Sequence, residues 1–311
     1  MKFIWVIGLL LLTQQTVGTG QLTIKEKEDT LAVVDKKEFL LPIPGSEVIN
    51  QDKYLRFLDQ IEAKVYEPAV NAKINHNGAF ISEKVGHKLY KEKFTELFLT
   101  SMFRQDTSII SVPTLPVHPR VDRDLLAQIR VKQIGQYVTY FNNHNQTRSH
   151  NINLATEAIN NHVIFPGETF SFNKVVGKRT VKKGYMRAPV IVRGELSEDI
   201  GGGICQVSST LFNAVDRAGV KILQRYSHSK RVPYVPPGRD ATVSWYGPDF
   251  TFQNNYSQPI LILARKYGGS VNIRLFSSDD IEFEPRKVPS ASKKLPEEVP
   301  IDSTEIKETA N

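Results

Sequence analysis

The second half of the chain has a strand-rich pattern that one amphipathic helix interrupts, and this helix begins directly behind three consecutive glycines. The run "PILILARKYGGSVNIRLF" is typical of a hairpin that turns at Gly268-Gly269, and "TFSFN", "APVIV" and "ATVSWYG" (residues 241–247) are typical of strands. Residues 206–218 carry apolar side chains at helical spacing and end at Gly219. The pattern predicts a β-rich domain around one central helix.

Cys205, the only cysteine of the 311-residue chain, lies at the start of this helix behind Gly201, Gly202 and Gly203. Unpaired N–H groups and the helix dipole favour a thiolate there, and the same N–H groups can donate to an oxyanion. Glycine also lets a substrate approach the backbone closely. We therefore expect a nucleophilic Cys205 and substrate-binding glycines. The alternative is a buried thiol that packs as a small hydrophobe.

A cysteine nucleophile usually needs a base and often a group that orients this base. A candidate for each lies downstream of the helix. His228 follows the strand after the helix, so that a helix-to-strand return can bring it back beside Cys205. Asp240 lies between a proline-glycine turn and the next expected strand, and it is a candidate for orienting the imidazole. An ordinary loop histidine and a turn aspartate are the alternatives, and spacing alone does not separate them.

The first 20 residues have the layout of a secretory signal peptide, with a basic start, an apolar run and a polar stretch of small residues. The apolar run is shorter than the ~20 residues that a membrane span needs, and no later segment is apolar enough. We expect an exported protein, with a retained N-terminal anchor as the alternative. An unpaired cysteine in such a protein suggests a reactive thiol or an intermolecular bridge.

The remaining chain divides by composition and pattern into four segments, and the expected fold class is α+β. Residues 21–41 are charged and weakly patterned, which suggests a linker, and residues 284–311 form a proline- and charge-rich tail that we expect to be disordered. The segments between them are a small α+β module at 42–119 and the β-rich domain at 134–283. The module is expected to contain a helix at 52–66, a hairpin turning at Asn77-Gly78, a helix at 87–99 and a strand at 108–119.

The net charge of +7 favours an anionic partner, and part of this charge is concentrated in one stretch. Residues 174–193 contain no acidic residue and seven basic ones: Lys174, Lys178, Arg179, Lys182, Lys183, Arg187 and Arg193. This stretch is either a solvated hairpin or a surface that meets anionic wall polymers or peptide carboxylates. Because nucleic-acid motifs, zinc-site spacing and a phosphate loop are absent from the sequence, we expect no nucleic acid, metal or cofactor.

Residues 134–264 resemble a VanW domain, a family named for a protein of vancomycin-resistance gene clusters. The resemblance is carried by "FPGETFSFNKVVGKRT", "GYMRAPVIVRGEL", "GGGICQVSSTLFNAV", "HSKRVPYVPPGRDATV" and "DFTFQNN". Residues 42–119 are similar to the peptidoglycan-binding module that often precedes VanW domains. The resemblance implies a secreted, cell-wall-associated protein of a Gram-positive-type bacterium that acts on peptidoglycan stem peptides.

Proteins with this domain have been connected with L,D-transpeptidase chemistry, which joins stem peptides through a cysteine acyl-enzyme. The family motifs fall on the three glycines and Cys205, on His228, and on Arg239 and Asp240. We therefore expect catalysis by Cys205, His228 and Asp240, with Arg187 and Arg239 as further substrate-binding residues. The serine-histidine-glycine-cysteine run of better-known L,D-transpeptidases is absent. A non-catalytic wall-binding protein and a cysteine peptidase that hydrolyses stem peptides are the alternatives.

Overall fold

The computed structural model describes residues 20–44, 47–104, 106–192 and 195–293. The expected signal peptide, apart from Gly20, lies outside these residues, as do Arg193 and the last 18 positions of the expected tail, 294–311. The chain divides into two compact units, Met1–Asn71 with Glu83–Arg120 and Ala72–Ser82 with Val121–Asn311. Each unit contains both helices and strands, which confirms the α+β class.

The elements are numbered in chain order. Up to residue 120 they are β1 (Gln21–Glu26), β2 (Asp29–Asp35), α1 (Gln51–Val65), β3 (Lys73–Ile74), β4 (Phe80–Ile81), β5 (Gly86–Leu89), α2 (Lys91–Met102), β6 (Ser108–Ser111) and β7 (Thr114–Val117). The later elements are α3 (Arg123–Ile129), β8 (Lys132–Tyr140), α4 (Gln146–Ile159), β9 (His162–Ile164), β10 (Thr169–Ser171), α5 (Phe172–Val176), β11 (Arg187–Val192), β12 (Glu195–Ile200), α6 (Ile204–Arg217), β13 (Lys221–Gln224), β14 (Thr251–Gln253), β15 (Ile260–Tyr267) and β16 (Ser270–Ser277).

The first unit contains a three-stranded sheet in the order β2-β1-β6, in which β1 is antiparallel to β2 and parallel to β6. Leu22 and Ile24 of β1 are completely buried in a core that also holds the aromatic side chains of α1 and α2. The linker prediction is therefore wrong for residues 21–35. Because β1 buries only two side chains completely and the rest of the stretch is rich in charge, its composition does not predict this hairpin.

The expected elements of the first module are largely present. The helix predicted at 52–66 is α1, and the predicted hairpin is β3 paired with β4, although this hairpin belongs to the second unit. The second helix, α2, begins at Lys91 instead of residue 87 because the preceding residues form β5, which pairs with β7. The predicted extended segment is present as β6 and β7.

The second unit is organised around a four-stranded antiparallel sheet in the order β8-β16-β15-β9. Ile260 and Ile262 of β15 face the core cluster that includes α4 and α6, whereas Leu261 and Leu263 face a smaller cluster that includes α3. Both faces of β15 are thus covered, which explains its continuous apolar run. The predicted hairpin turning at Gly268-Gly269 is confirmed as β15 and β16.

Two smaller sheets complete the second unit. Strands β10, β14 and β13 form a three-stranded sheet in the order β10-β14-β13, and β11 pairs with β12 in an antiparallel hairpin. The β12 strand ends at Ile200, directly before the three glycines that lead into α6. In the part of the chain that the structure describes, no helix is both long and apolar enough to cross a membrane.

Helix α6 is packed unusually closely against the large sheet. It lies on β8 and β16, and at Gly135 of β8 the helix backbone approaches the strand so nearly that an added Cβ would lie 2.4 Å from the carbonyl oxygen of Ala214. The predicted helix at 206–218 is confirmed, beginning two residues earlier, and Cys205 is its second residue. Gly219, with a φ of +73°, ends it as expected.

The proline- and charge-rich tail is ordered where the structure describes it. Val288 is buried, and its carbonyl accepts a hydrogen bond from the Arg217 guanidinium at 2.7 Å. The hydroxyl of Tyr137 donates to the carbonyl of Pro289 at 2.8 Å. The expectation of disorder is therefore wrong for residues 284–289, because side chains of β8 and α6 bind backbone carbonyls of a segment without regular structure.

The close approach at Gly135 generates a stability prediction. Replacing Gly135 with valine should lower the free energy of unfolding by about 1–3 kcal/mol, because a side chain must push α6 away from β8. Chemical denaturation of purified protein measures this effect. The exposed Gln133 on the same strand is the matched control, and Gln133→Val should change stability little. Equal effects at the two positions would contradict the packing described here.

Candidate active site

The polar side of α6 is buried against the chain segment at residues 239–243. The Ser209 hydroxyl accepts a hydrogen bond from the Ala241 N–H at 2.8 Å, and the Ser208 hydroxyl donates to the Ala241 carbonyl at 2.5 Å. The Asn213 amide donates to the Arg239 carbonyl at 2.7 Å. Residues 241–247 form no strand, so the strand prediction there is wrong, and at Ala241 the side chains of α6 bind the backbone. The segment is fixed beside the first turns of α6.

Asp240 and His228 are joined by this arrangement. The buried Asp240 carboxylate accepts hydrogen bonds from both the backbone N–H and the Nδ1 of His228, each at 2.6 Å through Oδ2. Because Nδ1 is engaged with Asp240, Nε2 is the ring nitrogen left to interact with the thiol of Cys205, and the two groups are close enough that each shifts the pKa of the other. The structure therefore brings the three predicted catalytic residues into one chain of contacts.

Cys205 is half-buried, and groups of the 239–243 segment flank its sulfur. The Sγ atom lies 3.7 Å from the Thr242 hydroxyl and 3.5 Å from the Val243 carbonyl. Within the described residues, no acceptor pairs with the backbone N–H of Cys205. This N–H lies at the N-terminus of a 14-residue helix, where the dipole favours negative charge. It is a candidate donor to an oxyanion.

The charges of the pair favour a thiolate and an imidazolium. Burial by itself would raise the pKa of Cys205, but hydrogen bonding and the charge of His228, together with Val243 and Thr242, outweigh it and lower this pKa below its ordinary value. Burial would likewise lower the pKa of His228, but Cys205 and then Asp240 outweigh it and raise this pKa. The two pKa shifts have opposite directions, and both favour the state in which the proton is on His228 and Cys205 is a thiolate.

Asp240 remains ionised beside this pair. Burial would raise the pKa of its carboxyl group, but the hydrogen bonds from His228 and the imidazolium charge lower it. The Arg225 guanidinium, 4.0 Å from the second carboxylate oxygen, adds a further positive charge on this side. A carboxylate that holds Nδ1 of the histidine fixes the ring orientation and stabilises its charged form, as in a Cys-His-Asp arrangement.

Two of the three glycines are required by the shape of the backbone. Gly201 and Gly203 have φ angles of +93° and +101°, a region that side-chain-bearing residues rarely adopt. A Cβ at Gly203 would also lie 2.9 Å from the Ile152 side chain. The carbonyl of Gly202 accepts a hydrogen bond from the Asn151 amide at 3.1 Å. The glycines shape the entry into α6; that they also bind substrate stays a prediction.

The two arginines expected to bind substrate differ in their surroundings. Arg239 donates to Asn213 at 2.8 Å and to Asp216 at 2.7 Å, so its guanidinium is engaged with α6. These contacts hold Arg239 against α6, and its role in binding substrate stays a prediction. Arg187 begins β11 and pairs in register with Ile200, next to the glycines, and its role in binding substrate stays a prediction.

Two residues near Cys205 were not recognised as candidate site residues from the sequence. Burial raises the pKa of the Tyr234 phenol well above its ordinary value, and the thiolate of Cys205 adds to this effect. Arg179, which the sequence placed only in a basic stretch, interacts electrostatically with the same thiolate. No local pattern distinguishes these two residues from other tyrosines and arginines, because only tertiary packing brings them to Cys205.

Comparisons with known proteins relate this chain to one family. The family model of VanW like protein matches residues 147–276, a range that includes Cys205, His228 and Asp240. The chain is 54% identical over 296 residues to YoaR, an uncharacterized protein of Bacillus subtilis, and the match covers 95% of this chain and 98% of that protein. The chain belongs to the VanW family.

A second VanW-family relative is more distant. It is the vancomycin B-type resistance protein VanW of Enterococcus faecalis, 33% identical over 110 residues, which is 34% of this chain and 40% of that protein. No solved structure matches the chain. The resemblance of residues 134–264 to a VanW domain is thus confirmed. The similarity of residues 42–119 to a peptidoglycan-binding module stays a prediction.

The lowered pKa of Cys205 predicts how its reactivity depends on pH. In the wild-type protein, alkylation by iodoacetamide should begin as the pH rises through a value below the ordinary thiol pKa, because only the thiolate reacts. In His228→Ala the midpoint should move to higher pH, because the positive charge beside the sulfur is lost. Mass spectrometry of the Cys205 peptide over a pH series measures both midpoints.

The control for this experiment is His144→Ala, which removes an exposed histidine and should leave the midpoint unchanged. A midpoint in His228→Ala that equals that of the wild type would show that the imidazole does not set the ionisation of Cys205.

Proposed function

We propose that this VanW-family protein is an exported cell-wall enzyme that acts on peptidoglycan stem peptides as a cysteine acyltransferase of L,D-transpeptidase type. The observation that carries the proposal is the contact chain from Asp240 through His228 to Cys205 at the N-terminus of α6. The enterococcal relative is a vancomycin resistance protein, which supports the association with the cell wall.

The first half of the reaction uses the thiolate-imidazolium pair. The Cys205 thiolate attacks a carbonyl carbon of the donor stem peptide and forms a carbon–sulfur bond, and the carbonyl oxygen becomes an oxyanion. The backbone N–H of Cys205, for which the described residues supply no acceptor, donates to this oxyanion. The His228 imidazolium then gives its proton to the leaving amine as the carbon–nitrogen bond breaks, which leaves a thioester on Cys205 and a neutral imidazole.

The second half of the reaction returns the enzyme to its starting state. An amine of the acceptor stem peptide attacks the thioester carbonyl, and the neutral imidazole of His228 takes the proton that this amine loses. The carbon–sulfur bond breaks, and the thiolate of Cys205 is restored beside an imidazolium. Asp240 keeps Nδ1 protonated throughout, so that Nε2 is the atom that exchanges the proton with the substrates.

The same residues would hydrolyse the thioester if water replaced the acceptor amine, and the product masses separate the two reactions. Incubation with defined donor and acceptor muropeptides should give a product whose mass is the sum of both peptides minus the leaving group. A product that is only the shortened donor would indicate a peptidase. A wall-binding protein without catalysis would give neither product.

Replacing the nucleophile is the direct test. Cys205→Ala should abolish product formation and leave the melting temperature near that of the wild type, because the half-buried sulfur contributes little packing. Intact-mass spectrometry of the wild-type protein with donor peptide should show an adduct of the acyl mass on Cys205. Turnover by the alanine variant at the wild-type rate would exclude the proposed enzyme.

The proton-transfer roles predict graded losses. His228→Ala should lower the rate by ~10²–10⁴-fold, the usual contribution of general acid–base assistance, and Asp240→Asn should lower it less, because the carboxylate acts only through the imidazole. Rates of product formation at saturating peptide, measured beside a melting curve for each variant, separate catalysis from folding. His144→Ala and Asp279→Asn, which replace exposed residues of the same types, are the controls.

If Asp240→Asn were more damaging to turnover than His228→Ala in equally folded proteins, the assigned order of the contact chain would be wrong.

A further inference from the structure

Arg179 carries a buried positive charge whose hydrogen-bonding capacity is unused. Both terminal nitrogens of its guanidinium are shielded from solvent and lack a hydrogen-bonding partner among the described residues. The guanidinium lies over the ring of Phe172, with its carbon 5.9 Å from the ring centroid. Buried polar groups in folded proteins are nearly always paired, so that an unpaired buried guanidinium calls for a ligand.

The nearby acidic side chain does not supply this ligand. Asp249 interacts electrostatically with Arg179, but its oxygens accept no hydrogen bond from the terminal nitrogens of the guanidinium and bond to other groups. One accepts from the Ser171 hydroxyl at 2.6 Å, and the other accepts from the backbone N–H groups of Asn173 and Phe250 at 2.9 and 2.8 Å. Asp249 is thus committed to the start of α5, and Arg179 keeps its donors free.

The position of Arg179 relates these free donors to Cys205. Its side chain passes directly beside Gly201, where an added Cβ would lie 3.2 Å from the Cβ and Cγ atoms of Arg179. Burial lowers the pKa of Arg179, whereas the negative charge of the Cys205 thiolate raises it. The two groups are thus close enough to interact but are not bonded to each other. Arg179 as a whole residue is half-buried, although its terminal nitrogens are shielded from solvent.

We propose that the Arg179 guanidinium binds a free carboxylate of the donor peptide next to the carbonyl that Cys205 attacks. This inference rests on the proposed function and deepens it by naming the group that the site recognises. A planar guanidinium with two free terminal nitrogens matches a carboxylate through paired N–H···O bonds. Because those nitrogens are already withdrawn from water, a carboxylate that reaches them meets an unscreened charge.

A stem tetrapeptide offers two carboxylates near the reacting carbonyl. One is the terminal carboxylate of the amino acid that leaves, and the other is a side-chain carboxylate on the residue that forms the thioester. Both present the same chemistry to Arg179. A donor without a charge in these positions should therefore be discriminated against, which gives the site a specificity that the catalytic residues do not provide by themselves.

Two alkylating reagents that differ only in charge test the guanidinium without requiring acyl transfer. Iodoacetate carries a carboxylate next to its reacting carbon, and iodoacetamide is its neutral counterpart. The ratio of the iodoacetate rate to the iodoacetamide rate at Cys205 is compared between the wild-type protein and Arg179→Gln. This ratio should be about tenfold lower in Arg179→Gln, as expected for the loss of roughly 1.4 kcal/mol of differential binding.

The rate ratio is independent of the thiolate fraction, because a change in the pKa of Cys205 affects both reagents equally. Arg179→Lys, which keeps the charge but not the fork, should give an intermediate ratio and is the second variant if the glutamine variant melts at a lower temperature. Lys178→Gln removes an exposed neighbouring charge and is the matched control. A ratio that is the same in the wild type and in folded Arg179→Gln overturns the proposal.

Peptide binding to Cys205→Ser separates this inference from the proposed chemistry and identifies the carboxylate. A stem tetrapeptide is compared with its C-terminal amide and with its side-chain amide by isothermal titration calorimetry. The amide that binds at least tenfold more weakly marks the carboxylate that Arg179 holds, and Arg179→Gln in the same background should abolish this difference. Binding that is equal for all three peptides overturns the proposal even if the wild-type protein forms the acyl-enzyme.

If the wild-type protein forms no acyl-enzyme while the Arg179-dependent discrimination persists, the proposed acyl transfer fails and the carboxylate site stands.

Discussion

The hydrogen bonds between the polar side of α6 and the segment at residues 239–243 determine the rest of the candidate site. Ser208, Ser209 and Asn213 hold the backbone on either side of Asp240, and Asp240 in turn holds both the backbone and the ring of His228. These three side chains lie on the helix that carries Cys205, and Arg225, outside that helix, donates to the Asp240 carbonyl at 2.9 Å. Since buried backbone groups are rarely left unpaired, the segment has one favourable position, and it brings base and thiol together.

The position of α6 itself depends on close packing. Gly135 lets the helix approach β8 to a distance that no side chain would permit, and the positive φ angles of Gly201 and Gly203 let the chain turn from β12 into the helix. An element fixed on a sheet in this way holds its N-terminus rigidly, which a preorganised oxyanion donor requires. The packing of α6 in the core thus fixes the position of the helix N-terminus, where the helix dipole acts on Cys205.

The site concentrates charge in a half-buried environment. A thiolate and an imidazolium are stabilised together there, and Asp240 and Arg179 add one negative and one positive charge on different sides. Low effective dielectric strengthens each of these interactions compared with water. The two groups differ in one respect, because Asp240 uses its hydrogen bonds within the protein whereas the Arg179 terminal nitrogens do not. This difference is the physical basis for assigning one to catalysis and the other to substrate.

The sequence by itself determined the elements whose signals are local: the apolar periodicity and glycine stop of α6, the hairpin of β15 and β16, and the place of Cys205 at a helix start. It also named His228 and Asp240, but it left their loop alternatives open. Tertiary structure decided the rest. Residues 241–247 form no strand, and side chains of α6 bind the backbone at Ala241, while the Arg239 guanidinium donates to Asp216. Such outcomes depend on contacts between residues that are far apart in the sequence, and the pattern of a short segment does not predict these contacts.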